Sequence, residues 1–280
     1  MGGTLFIVAT PIGNLADITE RALQILRQVT LIAVEDTRHS ARLLQAHGIA
    51  TPMLAVHEFN ERQRTEGLLD RIAAGESIAL ISDAGTPLIS DPGYQLVRRA
   101  HQRGLAVVAV PGASAAITAL SAAGLPSDRF TFEGFLPARQ AARLAALRAL
   151  QREPRTLIFY EAPHRIVECL QDLVECFGAA REATLARELT KTHETLRLAM
   201  LGSLLEFVSA DPNQQKGEIV LVVAGYEPEG HELDEEALRM LGILLEELPL
   251  KQAAALLARI KGLPKSLIYD AGLHLQGKKD

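Results

Sequence analysis

The chain has 280 residues, 48% of them hydrophobic and 22% charged, enough to bury a core of ordinary size without disulfide or metal staples. This excludes the disordered, collagenous and disulfide-scaffold classes. With 29 Lys and Arg against 34 Asp and Glu the net charge is −5, so the field of the whole molecule recruits neither nucleic acid nor anionic membrane, and any such partner must be held by a local patch. The length allows two domains, or one larger α/β unit with an appendage, and two compact halves are expected. Cys169 and Cys176 fall in one helical pattern, roughly 10.5 Å apart along its axis, too far to bridge, and are expected to be buried thiols. No CxxC cluster or HExxH pair suggests a metal. The first residues lack the basic and then apolar order of a signal peptide, so a cytoplasmic protein is expected.

In chain order, apolar runs at Leu5 to Ala9, Leu31 to Val34, Ile78 to Ile81 and Leu105 to Val110 alternate with helical patterns such as Ile18 to Gln28 and Tyr94 to Gln102. Strands that are apolar throughout, separated by helices, predict βαβ units on a parallel sheet covered on both faces. Asp17 followed by Glu20 fits a capping box for the first helix, and Gly104 fits the stop of the helix before Leu105. The uncharged stretch from Leu105 to Pro126 approaches the length of a membrane span, but Pro111-Gly112 and its small residues make it a strand, a turn and a helix.

Around Leu120 to Arg139 the rhythm changes to a connection rich in Gly, Pro and Phe, followed by an Arg-rich helix, and the domain boundary is placed there. The second half has strand candidates at Thr156 to Tyr160, Ala183 to Ala186, Thr195 to Met200 and Glu218 to Ala224, with helices near Arg165 to Phe177 and Ser203 to Ser209. Mixed strand directions are expected. Tyr226 to Glu236 reads as an acidic linker. Beyond it Leu250 to Ile260, Gly262-Leu263-Pro264 and Lys265 to His274 outline a helix-turn-helix, in which Lys251, Arg259, Lys261 and Lys265 either contact phosphate or form a solvated face. The predicted domains are therefore 1–122, 123–225, and 226–280 as linker and small helical tail.

Several windows can carry chemistry. Thr10 to Asn14 follows the first strand, where open α/β sheets bind nucleotides, but one glycine in place of three does not shape a pyrophosphate site; it is a nucleoside turn or a plain βα turn. Glu35-Asp36-Thr37-Arg38 closes the second strand, where the acids either bind ribose and base groups or cap a helix. His57 to Glu61 is a second polar cluster at such an edge, or simply exposed. Ser82 to Gly93 is a long loop of Gly, Pro and Asp after a buried strand, the kind that usually serves function. Pro111 to Ala115 leaves room for a flat ligand, or packs tightly. Tyr160 to Arg165 and Glu188 to Glu194 put ionisable groups at strand ends: His164 is either a base or a cap, and Lys191 either functional or part of a surface ion-pair cluster. Arg139, Arg143, Arg148, Arg152 and Arg155 against the single acid Glu153 form either a phosphate patch or a solvated helix face.

Taken in register, Thr10 to Leu15, Glu35 to Arg38, Ser82 to Gly93, Ala122 to Pro137, Tyr160 to Arg165 and Glu188 to Thr192 closely resemble the ribosomal RNA small subunit (cytidine-2′-O-)-methyltransferases of the tetrapyrrole methylase superfamily. The resemblance runs from about Leu5 to Gly225, and the C-terminal helices resemble that family's tail. Ala113 departs from the proline that relatives often carry in the Pro-Gly-x-Ser/Cys-Ala turn. The resemblance implies two α/β domains with S-adenosylmethionine in the cleft between them, a helix-turn-helix-like tail, and a homodimer. It implies cofactor contacts at Pro11, Asp83, Ala84, Gly85, Thr86, Pro87, Leu88, Ile89, Ser114 and Ala115, and from the second domain Tyr160, Met200 and Gly217. The implied substrate is a cytidine ribose in the decoding region of 16S ribosomal RNA in the small subunit. A ribose hydroxyl is a weak acid whose proton needs an acceptor; Asp36, Lys191, Glu35, Glu161 and Glu188 are the candidates, with Arg38, Arg139, Arg143, Arg148 and Arg152 holding phosphates. A tetrapyrrole or protein substrate on the same fold, and a non-enzymatic RNA-binding module, are the alternatives.

Overall fold

Leu5, Ile32 and Ile78 are buried apolar residues on three neighbouring strands, and their burial on both sides explains why those runs carry no polar alternation. The computed structural model describes residues 2–57, 60–227 and 233–277. The first sheet and its helices follow in chain order as β1 (Thr4–Val8), α1 (Glu20–Gln28), β2 (Leu31–Val34), α2 (Thr37–Ala46), β3 (Met53–Ala55), α3 (Glu61–Ala73), β4 (Ile78–Leu80), α4 (Tyr94–Gln102), β5 (Ala106–Val110) and α5 (Ala115–Ala122). The strands pair in parallel in the order β3-β2-β4-β1-β5. β3 is the strand that sequence patterning missed: Met53-Leu54-Ala55 is a half-buried edge strand without a β-branched residue, whereas the equally short β4 sits in a fully buried apolar run.

Local signals decide where the helices start. Asn14 caps a short 3-10 turn at Leu15–Asp17, and Thr19 caps α1 by accepting the Ala22 amide at 3.1 Å. The capping box expected at Asp17 and Glu20 is therefore corrected, since a threonine two residues on has the extended backbone that a cap needs. Gly104, with φ +65°, ends α4 in the left-handed conformation as expected. Glu61 is buried, and its carboxylate accepts the Gln95 and Leu96 amides at 2.9 and 3.3 Å, which ties α3 to the exposed donors at the start of α4. Of the polar cluster around it, Glu58 and Phe59 lie outside the described residues.

The second sheet comprises β6 (Phe130–Phe135), β7 (Thr156–Glu161), β8 (Glu182–Arg187), β9 (Thr195–Met200) and β10 (Ile219–Val223), with α6 (Gln140–Leu150), α7 (Ile166–Phe177) and α8 (Leu201–Ala210) between them. Its order is β6-β7-β10-β8-β9, with β6 parallel to β7 and the other pairs antiparallel, so the mixed directions are as expected. The segment read as a connection around Phe132 is in fact β6, an edge strand whose register shifts between Phe132 and Gly134. Gly134, with φ +66°, supplies the bulge.

One core packs α6, α7 and α8 on one face of the second sheet and includes both free cysteines. Two others cover the faces of the first sheet. A fourth joins the sheets, with Ala116, Ala119 and Leu120 of α5 against Ile158, Ala186, Val220 and Val222. Residues 1–225 thus form one compact unit, and 226–280 form another. The linker expected over Tyr226 to Glu236 falls partly outside the described residues, and its last two residues begin a helix, α9 (Glu235–Glu247), capped by Asp234. With α10 (Leu250–Lys261), left-handed Gly262 and α11 (Lys265–Gly277), it encloses a core around Leu241, Ala254, Leu257 and Ile268. Among the described residues no helix is long and apolar enough to cross a membrane.

Candidate functional site

Because β1 and β4 are parallel neighbours, the loops that leave them emerge side by side at the carboxyl edge of the first sheet, where open α/β folds place ligands. A two-way backbone bridge locks them: the Thr10 amide donates to Gly85 O at 2.8 Å, and the Gly85 amide to Thr10 O at 3.1 Å. The Thr86 hydroxyl donates to Ala113 O at 3.0 Å, adding the loop after β5. Leu88 and Ser90 sit at φ +74° and +72°, a conformation that costs side-chain-bearing residues energy and persists where surroundings enforce it.

Facing these loops is the end of the second sheet. The Tyr160 phenol accepts the Ala116 amide at 3.2 Å, and its ring meets Phe132 and Phe135 edge-on at centroid distances of 4.8 and 5.6 Å. Between the two edges lies a cleft of about 410 Å³. Its wall is mainly apolar, from Ile12, Ile89, Phe135, Leu189, Ile219 and Val220, interrupted by four carboxylates at Asp83, Asp91, Glu161 and Glu218.

The loop residues Asp83, Ala84, Gly85, Thr86 and Ile89 line this cleft together with Ser114, Ala115 and Tyr160. Others named from the sequence do not. Pro11 and Pro87 are buried beside it, and Leu88 turns into the first-sheet core. Met200 pairs with Glu182 at the end of β9 remote from the cleft, whereas the cleft takes Ala186 from the other end of β8. Gly217, with φ +82°, makes room for the Glu188 carboxylate, which a Cβ would meet at 2.3 Å. Asp91 and Glu218 are cleft residues that sequence reasoning passed over, although Asp91 lies in the loop it singled out.

The candidate proton acceptors separate by environment. Asp36 caps α2 and pairs with Arg38 at 3.1 Å; the Arg38 hydrogen bonds hold its carboxyl below the usual range. Burial pushes Glu35 up, and the charges of Asp83, Asp91 and Asp36 add to it. Burial raises the Tyr160 phenol, opposed by the Ala116 hydrogen bond and reinforced by Asp91. Glu161 is buried, accepts the Ala162 amide at 2.7 Å and pairs with Arg165 at 3.2 Å. Lys191 bridges Glu188 at 2.9 Å and Glu218 at 3.1 Å, close to Gly13 and Asn14. Burial works against its ammonium, but the hydrogen bonds to the two acids outweigh it and raise its pKa, so at neutral pH it is a cation. Burial likewise pushes Glu188 up, but Lys191 and the Glu218 amide hold it below the usual range.

The arginines do not form one basic stripe. Arg143 is buried and bound to Asp172 at 2.6 Å, with Glu168 at 3.6 Å, so its assignment to phosphate is corrected: it is an internal ion pair between α6 and α7. Arg148 pairs with Glu175 at 3.0 Å, and Arg155 with Glu153 at 2.7 Å. Glu168, Asp172 and Glu175 come from α7, which a reading of α6 alone could not include. Arg38, Arg139 and Arg152 are exposed. Among the described residues no group of three or more His, Cys, Asp or Glu is placed to hold a metal ion.

Two mixed or parallel sheets with this cleft between their edges define a methylase of the tetrapyrrole (corrin/porphyrin) type; the model of that family matches residues 4–205, and a model of the RsmI C-terminal HTH domain matches residues 231–276. The fold is shared with the crystal structure of uroporphyrin-III C-methyl transferase from Thermus thermophilus complexed with S-adenyl homocysteine, at TM-score 0.55 and 18% identity over 79% of this chain and 97% of that one. The ribosomal RNA small subunit methyltransferase I of Pseudomonas aeruginosa is 60% identical over 278 residues, 99% of both chains. That of Escherichia coli O157:H7 is 56% identical over 98% of this chain and 96% of its own. The chain belongs to the ribosomal RNA small subunit methyltransferase I family.

Proposed function

We propose that the protein transfers a methyl group from S-adenosylmethionine to the 2′-oxygen of a cytidine ribose in the decoding region of 16S ribosomal RNA, as a cytoplasmic enzyme acting on the small subunit. The observation that carries the reading is the cleft: an apolar chamber of about 410 Å³ studded with carboxylates suits a nucleoside that bears a positive sulfonium and ammonium. Small residues at Gly85, Ser114 and Ala115 leave space for a flat base, and Asp83 and Thr86 offer it polar partners. The names of the relatives and the ligand of the Thermus thermophilus neighbour support it.

The bound sulfonium supplies an already activated methyl group. What the chain contributes is alignment, exclusion of water and an acceptor for the hydroxyl proton. Lys191, a cation at the cleft rim next to Glu218, is placed to orient a ribose or phosphate oxygen, and Arg38, Arg139 and Arg152 are exposed to hold RNA phosphates. Incubated with labelled S-adenosylmethionine and small subunits lacking the modification, the protein is expected to yield 2′-O-methylcytidine by nucleoside mass spectrometry. A methylated tetrapyrrole or protein, with unlabelled RNA, would replace this reading.

A homodimer is part of the proposal. Leu196, Leu198 and Met200 share the face of β9 that continues from α5, and with Ile117 of α5 they are 42 to 52% exposed. Gly124, just after α5, abuts Leu198, which sets the end of that helix against β9. A second copy of this chain covering it would remove that apolar surface from water. Leu198→Asp is expected to shift sedimentation from dimer to monomer; an unchanged sedimentation coefficient would place the interface elsewhere.

A further inference from the structure

Of the four carboxylates in the cleft, two are paired with cations and a third accepts a backbone amide. Glu161 pairs with Arg165, Glu218 with Lys191, and Asp83 accepts the Asp36 amide at 3.3 Å. Asp91 differs. It is half-buried on the cleft wall, and among the described residues no Lys, Arg or His pairs with it. The groups that face it are the Ser82 hydroxyl and the Asp83 carboxylate of its own loop, Glu35 from the end of β2, and Tyr160 from β7. Its backbone is held on both sides: Ser90 is at φ +72°, Gly93 at +121°, and Pro92 has a fixed φ between them.

An acceptor for a ribose proton must reach the cleft, be free of a cation that would weaken it as a base, and be held in place. Asp36 lies outside the lining and is tied to Arg38; Lys191 carries its proton; Glu188 is held below the ordinary range by Lys191 and the Glu218 amide. Resting on the 2′-O-methylation reading above, we propose that Asp91 is the general base that takes the ribose hydroxyl proton. The new oxygen–carbon bond forms as the carbon–sulfur bond breaks with its electron pair going to sulfur, and the hydroxyl proton passes to the Asp91 carboxylate and then to water. Burial supports the role by pushing this carboxyl up to about 6, opposed by the Ser82 hydrogen bond and reinforced by Asp83. At pH 7 the group is then mostly ionised, yet more basic than an exposed aspartate.

Asp91→Asn and Asp91→Glu test this in the full-length protein. Single-turnover methyl transfer by the parent protein is expected to rise tenfold per pH unit up to about 6 and then level off. At saturating S-adenosylmethionine, so that weaker cofactor binding does not enter, Asp91→Asn is expected to transfer methyl roughly 100- to 10,000-fold more slowly and to lose that break. A carboxyl pKa raised by burial destabilises the fold above pH 6 and is relieved as pH falls through 6 towards the unfolded value. Asp91→Asn is therefore expected to melt a few degrees higher than the parent at pH 7.5, with the difference closing near pH 4, whereas a merely structural aspartate would give a lower melting temperature. Asp91→Glu is expected to keep the break at a reduced rate.

Transfer by Asp91→Asn within threefold of the parent, or a break that survives in Asp91→Asn, overturns the assignment. So does Asp91→Glu without the break. If the parent protein itself methylates no RNA, the functional reading falls and takes this one with it; an active parent with an active Asp91→Asn overturns the base assignment alone.

Discussion

Asp172→Ala is expected to lower folding stability by about 3–5 kcal/mol, the loss typical of removing one partner from a buried ion pair. The Arg143 and Asp172 side chains are 1% and 2% exposed, and their 2.6 Å contact joins α6 to α7. Without Asp172 the guanidinium keeps the Ala138 carbonyl at 3.3 Å and Glu168 at 3.6 Å, and Gln140 loses its acceptor. Urea denaturation followed by circular dichroism reads the effect as a lower midpoint with an unchanged slope. Replacing both charges, Arg143→Met with Asp172→Leu, is expected to recover most of the loss, because the cost lies in the stranded charge. An Asp172→Ala midpoint within experimental scatter of the parent would show that water reaches the pair.

The second large effect is on binding. Ala115 stands at the start of α5 where that helix opens on the cleft, so Ala115→Phe is expected to put a ring into space that the ligand needs. A steric overlap of this kind costs about 1–3 kcal/mol, which is a weakening of roughly 10- to 100-fold. Calorimetric titration with S-adenosylhomocysteine measures it, and an unchanged melting temperature in the absence of ligand shows that the fold is kept. Undiminished affinity would move the ligand away from α5.

These two sites differ in how much of them can be read from the chain. The cleft loops were legible because their chemistry is local: Ser82 to Gly93 and Pro111 to Ala115 combine glycine, proline and small residues directly after apolar strands, and parallel strands must deliver such loops to one edge. Arg143 was misread because its partner lies 29 residues away on another helix. On α6 alone it is one of a row of arginines, and only packing against α7 shows that it points inward.

The same division runs through the fold. Apolar strands separated by helical periods determined, by themselves, the α/β class, four of the five strands of the first sheet and four of the five in the second; burial on both faces leaves its mark on the inner runs. They could not determine β6, whose edge position tolerates the glycine and charge that made it look like a loop, nor β3, a half-buried edge strand without a β-branched side chain. Tertiary structure alone decided which acids face the cleft and how deeply they are buried. Asp36, Glu161 and Glu188 each have a cation two to four residues on, at Arg38, Arg165 and Lys191, and Asp91 has none within that span, but the order of residues does not say which of the four line the cleft. Arg38, Arg165 and Lys191 reach the first three, while burial beside Asp83 and the absence of a paired cation among the described residues set Asp91 apart. Electrostatics depends on distance through space, and the chain order records only distance along the backbone.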